Sequence, residues 1–284
     1  MPTSTTLEVN VEKILRDKAG SKAKYVPRFV VRWLERILHQ DEINEFLIEH
    51  KDEEGVEWLE SSIKYLGIGL KVTGLDNIST NPDKRYTFVS NHPLGGIDGV
   101  ALGAVLGKHF DGNIRYLLND ILMNLPGLKP LGVPVNKTGS QNREILRQVD
   151  EVFKSDKHII VFPAGLCSRM IDGRVQDLPW KKTALQKSIE NHRDIVPIFF
   201  SGQNSKRFYR IANLSKILKF NLAMLYLADE VYKSRGKQFE IHIGKPISWQ
   251  HFDHSLSLNQ WTQRLRQEVY NLSDKSDTPE AKLV

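Results

Sequence analysis

Arg85-Tyr-Thr-Phe-Val-Ser-Asn-His-Pro-Leu-Gly-Gly-Ile-Asp-Gly99 reads as a short buried strand, a glycine-bearing turn and the start of a helix. Tyr86 to Val89 are β-branched or aromatic and suit a strand, whereas Pro93, Gly95 and Gly96 cannot continue one. Beyond Asp98, the run Val100, Ala101, Leu102, Ala104, Val105, Leu106 has helical character and places Asp98 at the N-cap. The turn therefore brings His92 and Asp98 together. A histidine at a strand end facing a carboxylate has the makings of a general base with its orienting partner. The plainer alternative is that Asp98 only caps the helix and His92 is a satisfied loop histidine.

With 284 residues, 40% of them hydrophobic, the chain can bury a full core in one large domain or two small ones. Forty Lys and Arg against 34 Asp and Glu leave a net charge of +6. That balance favours an anionic partner, such as nucleic acid, a phosphorylated substrate or an acidic lipid surface, or reflects a merely solvated basic surface. The single cysteine, Cys167, excludes an internal disulfide and a cysteine-cluster zinc site, and nothing calls for an oxidising compartment. The first thirty residues lack the apolar core of a secretory signal, and no stretch reaches the ~18 uncharged apolar residues of a spanning helix, so any membrane contact would be peripheral.

Residues 1–25 predict a flexible arm, with a short helix around Val11, Ile14 and Leu15. Over 26–66 an amphipathic helical segment follows. Phe29, Val30, Trp33, Leu34, Ile37 and Leu38 recur at helical spacing, and Arg28, Arg32 and Arg36 form a basic stripe. Such a helix suits either a lipid interface or the protein's own core. From Gly67 strands and helices alternate: strands at Leu70–Leu75, Arg85–Ser90, Asn113–Leu118, His158–Phe162, Ile195–Phe200 and Phe239–Ile243, with helices after Asp98 and over Gln141–Lys157, Trp180–His192 and Asn259–Leu272. Residues 206–235 predict one or two helices that touch lipid or close the sheet edge, and 273–284 a disordered tail. The alternation predicts an α/β domain over 67–272 with a mostly parallel central sheet flanked by helices. Ligands in that architecture bind beyond the carboxyl ends of strands, where His92 and Ser168-Arg169 would lie.

Several familiar sites fail. Gly127 and Gly132 have P-loop spacing, but Val133-Pro134 stand where Lys-Ser/Thr is required. There is no G-x-S-x-G elbow and no H-E-x-x-H, and the histidines show no paired ligand spacing, so no metal is expected. Basic residues are not interleaved with aromatics, so no nucleic-acid partner is expected.

Three blocks then fall into order: Asn91-His92 through Asp98, Val161-Phe-Pro-Ala-Gly-Leu-Cys-Ser-Arg169, and Val196-Pro-Ile-Phe-Phe-Ser-Gly202. Their order and spacing, within about Gly67–Ile247, resemble the glycerolphosphate acyltransferase family that includes lysophosphatidic acid acyltransferases. Two departures from that pattern, Ala164 in place of a glutamate and Ser168-Arg169 displaced after Gly165, look like the hemolysin-like branch, similar to acyltransferases that make ornithine or glycine lipids. Asn204-Ser205 with Phe208-Tyr209, and Ile243-Gly-Lys-Pro-Ile247, add to the resemblance.

The resemblance implies a peripheral O-acyltransferase at the cytoplasmic face of the inner membrane. It would move an acyl group from acyl carrier protein or coenzyme A to the hydroxyl of a lysolipid, either lysophosphatidate or a monoacyl amino-acid lipid. It binds no cofactor of its own. His92 would be the base and Asp98 its partner. Asn91, Gly95, Gly96, Phe162, Pro163, Gly165, Ser168 and Asn204 would line the substrate site, with Arg169 and Lys137 on the acceptor's anionic end. Backbone N–H groups at Gly95-Gly96 or Gly165 would face the oxyanion. Cys167 as an acyl-carrying nucleophile stands against Cys167 as a small buried packing residue. Two other classes stay open: a non-catalytic lipid-binding protein, and a thioesterase-like hydrolase.

Overall fold

Phe88, Val89, Ile159, Ile160, Ile195, Val196 and Ile198 are inaccessible to solvent, as the side chains of strands covered on both faces must be. The computed structural model describes residues 8–135, 143–218, 222–273 and 282–283. Its strands are β1 (Gly69–Thr73), β2 (Tyr86–Ser90), β3 (Ile114–Asn119), β4 (Gly132–Val135), β5 (His158–Val161), β6 (Arg169–Ile171), β7 (Arg174–Gln176), β8 (Asp194–Phe200), β9 (Gln238–Ile243) and β10 (Lys282–Leu283). Its helices are α1 (Val11–Ala19), α2 (Arg28–Ile37), α3 (Gln40–Glu49), α4 (Gly55–Tyr65), α5 (Ile97–His109), α6 (Arg143–Lys154), α7 (Thr183–Glu190), α8 (Lys206–Leu218), α9 (Leu222–Tyr232) and α10 (Leu258–Asn271).

The chain forms two compact units, one of Glu54–Gln203 with Gly236–Val284, the other of Met1–Glu53 with Asn204–Arg235. The first carries the main sheet, in the order β10-β1-β9-β8-β2-β5-β3-β4. β8, β2, β5, β3 and β4 run parallel to their neighbours, β8 and β9 pair antiparallel, and β1 is parallel to β9. The fold is thus α/β with a mostly parallel central sheet. β8, β2 and β5 are adjacent, with Val89 in register with both Pro197 and Val161. Their carboxyl ends consequently open on one edge.

Two strand features exceed the sequence expectation. β4 is an edge strand, which is where a proline such as Pro134 can be accommodated without losing a ladder bond. β6 and β7 make a separate antiparallel hairpin, turned by Asp172 and Gly173 at φ 50° and 77°, the left-handed pair that a two-residue hairpin loop requires. In the tail expected to be disordered, Lys282–Leu283 runs antiparallel along Lys71–Val72, because the outer side of β1 offers unpaired backbone groups.

α5 lies almost wholly inside. Glycine is required at Gly103, where a Cβ would overlap the Tyr116 hydroxyl, and at Gly107, where it would overlap Val56. Those two residues let α5 approach α4 and β3 closely. The Tyr116 hydroxyl in turn donates to the carbonyl of Gly99 at 2.6 Å and steadies the first turn of α5.

The second unit is helical. The arm up to residue 25, expected to be flexible, is pinned from Val9 onward. Asn44 accepts from the Val9 N–H at 2.7 Å and donates to its carbonyl at 3.0 Å, while Gln40 accepts from Val11 N–H at 2.8 Å. On α2, Leu34 and Ile37 are buried, whereas Phe29 is 74% exposed and Arg28, Arg32, Trp33 and Arg36 also face solvent. No described helix is long and apolar enough to cross a membrane.

Candidate active site

β2 ends at Ser90, and the next two residues turn in opposite directions. Asn91 is buried and closes both ends of its amide on Phe200, donating to the carbonyl at 2.8 Å and accepting from the N–H at 2.7 Å. Asn91, expected on the substrate side, thereby clamps β2 to the end of β8. His92 faces outward with its Nδ1 2.9 Å from Asp98 Oδ2, which leaves Nε2 as the nitrogen that can meet a substrate.

Asp98 is fully buried. It sits inside the first turn of α5 and Gly96 is the N-cap, so the expected cap position is two residues late. The carboxylate nevertheless gathers backbone donors: Leu94 N–H at 2.9 Å and Gly95 N–H at 3.1 Å on Oδ2, and Gly99 N–H at 3.0 Å on Oδ1. The side chain thus satisfies backbone donors of the turn while it faces His92, without being the helix cap. Burial alone would raise this carboxyl, but the facing His92 charge and the bonds from His92, Leu94 and Gly95 hold it below the usual carboxylate range. An ionised Asp98 fixes a proton on Nδ1 and leaves Nε2 as acceptor.

Phe162, the first residue beyond β5, stacks on the His92 ring with centroids 4.1 Å apart and planes 26° apart. Pro163 is buried and its carbonyl accepts from Lys181 N–H at 3.0 Å. Gly165 takes φ +69° and donates its N–H to the Phe162 carbonyl at 2.9 Å. The N–H groups of Gly95 and Gly165 are therefore already engaged. Gly96 stands at the amino end of α5 as its N-cap.

The Ser168 N–H donates to the His92 carbonyl at 2.7 Å, and its hydroxyl donates to Asp177 at 2.6 Å. Arg169 is buried, with Nη1 across the carbonyls of Cys167 at 2.6 Å and Ser168 at 3.2 Å and 3.0 Å from Cys167 Sγ. Cys167 is itself buried, matching the packing alternative rather than an accessible nucleophile. Lys181, which the sequence reading did not single out, is exposed, and its Nζ would lie 3.6 Å from a Cβ at Gly165.

His92, Asp98, Gly95, Gly96, Phe162, Pro163, Gly165, Ser168 and Arg169 thus converge on the carboxyl edge of β2 and β5. Asn204 belongs to the helical unit, where it is buried and its N–H donates to Tyr209 at 3.0 Å. Lys137 lies outside the described residues. Sequence reasoning missed Asp177, Trp180, Tyr116 and Tyr270, whose spacing carries no recognisable period. Among the described residues no group of three or more His, Cys, Asp or Glu converges as metal ligands would.

A histidine oriented by an ionised, buried carboxylate, at the open end of parallel strands, is the equipment of a general-base transferase. The chain belongs to the acyltransferase family, whose sequence profile matches residues 13–279. It is 56% identical over 266 residues to a lyso-glycine lipid O-acyltransferase of Phocaeicola vulgatus, covering 93% of this chain and 95% of that one. To the protein of that name from Bacteroides thetaiotaomicron it is 53% identical, covering 93% and 97%. A crystal structure of the 1-acyl-sn-glycerophosphate acyltransferase PlsC from Thermotoga maritima aligns with TM-score 0.48 at 17% identity, covering 94% of this chain and 89% of that one.

Proposed function

We propose that this enzyme esterifies the free hydroxyl of a lyso-glycine lipid with the acyl group of a thioester carried by acyl carrier protein or coenzyme A. The single observation that carries the chemistry is the 2.9 Å contact of His92 Nδ1 with Asp98. The acceptor class is supported by the two relatives named above.

His92 Nε2 takes the proton as the acceptor oxygen attacks the thioester carbonyl. The C–O bond forms, the C–S bond breaks, and the imidazolium returns the proton to the departing thiolate. Positioned base catalysis of this kind contributes roughly 10²- to 10⁴-fold. Asp98 holds the tautomer and stabilises the imidazolium. The Gly96 N–H, at the positive end of α5, faces the oxyanion. Phe162 gives the imidazole an apolar wall that excludes water from the ester. Arg169 and Lys181 supply positive charge for the acceptor's carboxylate.

The enzyme works on the cytoplasmic face of the inner membrane as a peripheral protein. Support comes from α2, whose exposed Phe29 and Trp33 stand among Arg28, Arg32 and Arg36, the mixture that seats a helix in an anionic lipid interface.

The acceptor is tested by supplying purified enzyme with an acyl thioester and, separately, lyso-glycine lipid and lysophosphatidate, with products read by mass spectrometry. Diacylated glycine lipid from the first alone agrees with the reading. Phosphatidate as the favoured product contradicts it, and thiol release that ignores either acceptor points to a hydrolase.

A further inference from the structure

Asp177 is a second carboxylate bound to His92, and the chemistry above does not use it. It is 2% exposed. Oδ1 accepts the His92 N–H at 3.2 Å and the Ser168 hydroxyl at 2.6 Å, and Oδ2 accepts the Trp180 indole N–H at 2.8 Å. All three are neutral donors. Its own N–H donates to the Tyr270 hydroxyl at 2.9 Å, and its carbonyl accepts from Arg266 at 3.1 Å. One residue therefore joins the end of β2, the turn after β5 and the approach to α7 through its side chain, and α10 through its main chain. These segments are distant in sequence and meet at the base.

We propose that Asp177 is a positioning residue of the transfer reaction, setting the His92 main chain against the Ser168-Arg169 turn so that the imidazole and the acceptor loop keep one geometry. The inference rests on the acyl-transfer reading but not on the identity of the acceptor. Ser168 donates its N–H to the His92 carbonyl, so His92 is held on both of its peptide groups, once directly by Ser168 and once through Asp177. A loop histidine restrained only through Nδ1 could pivot about that bond; one restrained at the ring and at both peptide groups cannot.

The choice of a carboxylate is informative. Burying a charge among neutral donors is costly, and burial pushes the Asp177 carboxyl up. A neutral amide would satisfy fewer of these donors but cost less to bury. What the carboxylate adds over an amide is a second accepting oxygen, so that Oδ2 takes the Trp180 indole N–H while Oδ1 takes the His92 N–H and the Ser168 hydroxyl.

The test is Asp177→Asn, with thiol release from the acyl thioester measured in the presence of a lysolipid. The expected result is a melting temperature within a few degrees of wild type, kcat lowered by about 30-fold, and acceptor KM unchanged within about threefold. Tyr270→Phe, which removes the hydroxyl that accepts the Asp177 N–H, should lower kcat severalfold with the same KM, and serves if Asp177→Asn does not fold. Full kcat in either folded variant, or a loss confined to KM, overturns the proposal. Because each variant is compared with wild type on whichever lysolipid wild type uses, a wrong acceptor shows in wild type and a wrong role for Asp177 shows in the ratio.

Discussion

Asn91 sets its side-chain amide on the backbone of Phe200, giving one hydrogen bond to the carbonyl and taking one from the N–H. The residue before the base is thus a weld between β2 and β8, and it sets where His92 leaves the sheet. Asn91→Ala strands two buried backbone groups, each costing about 1–3 kcal/mol. The expected outcome is a destabilisation of roughly 2–6 kcal/mol in denaturant melts, together with lost activity. A variant with wild-type stability would show that the clamp contributes nothing.

At Gly103 a methyl group has nowhere to go, since Tyr116 and Leu59 already occupy the space. Gly103→Ala should cost about 1–3 kcal/mol through overpacking. Adding Tyr116→Phe removes the hydroxyl that clashes and should recover part of the loss. Additive losses in the double variant would place the strain elsewhere.

His158 opens β5 inside a ring of aromatics, stacked on Tyr86 and 3.9 Å from the Phe110 centroid, with Nδ1 accepting the Tyr86 N–H at 3.2 Å. Burial, then the charge of Arg193, push its pKa down to about 4. The unfolded chain binds this proton more readily than the folded one. Stability from His158 is therefore complete above about pH 6.5 and is lost as pH falls toward 4. His158→Asn keeps an acceptor but does not titrate, so its melting temperature should fall less steeply between pH 7 and 4.5. Equal slopes would contradict a neutral buried imidazole.

On α2, Phe29 and Arg32 are both exposed, so Phe29→Ser with Arg32→Gln should leave thermal melting unchanged. Its affinity for vesicles containing anionic lipid should drop at least about tenfold, from lost apolar insertion and lost charge attraction. Undiminished sedimentation with vesicles would move the lipid contact off this helix.

Much of the sheet was legible because β2, β5 and β8 are continuous apolar runs between turn residues, the clearest signal a buried parallel strand gives. The His92–Asp98 pair was legible because the glycine turn confines both to a short loop. Asp172-Gly173 is an equally good hairpin signal, but its flanking strands have three residues each and left no alternation to read. The helical unit joins residues up to 53 with 204–235, a grouping that periodicity within one segment cannot disclose. Asp177 was invisible for the same reason: its partners lie 85, 9, 3 and 93 positions away. Asn91 was legible as an important residue but its grip on Phe200 was not, because sequence does not say which way a side chain turns at a strand end.

The central claim is that the imidazole of His92 takes the proton from the acceptor. It is tested most directly by His92→Ala, assayed for esterification of lyso-glycine lipid by an acyl thioester alongside circular dichroism of the same preparation. The account predicts a folded protein whose transfer rate falls by about 10²- to 10⁴-fold. Transfer at the wild-type rate from that folded variant would contradict it.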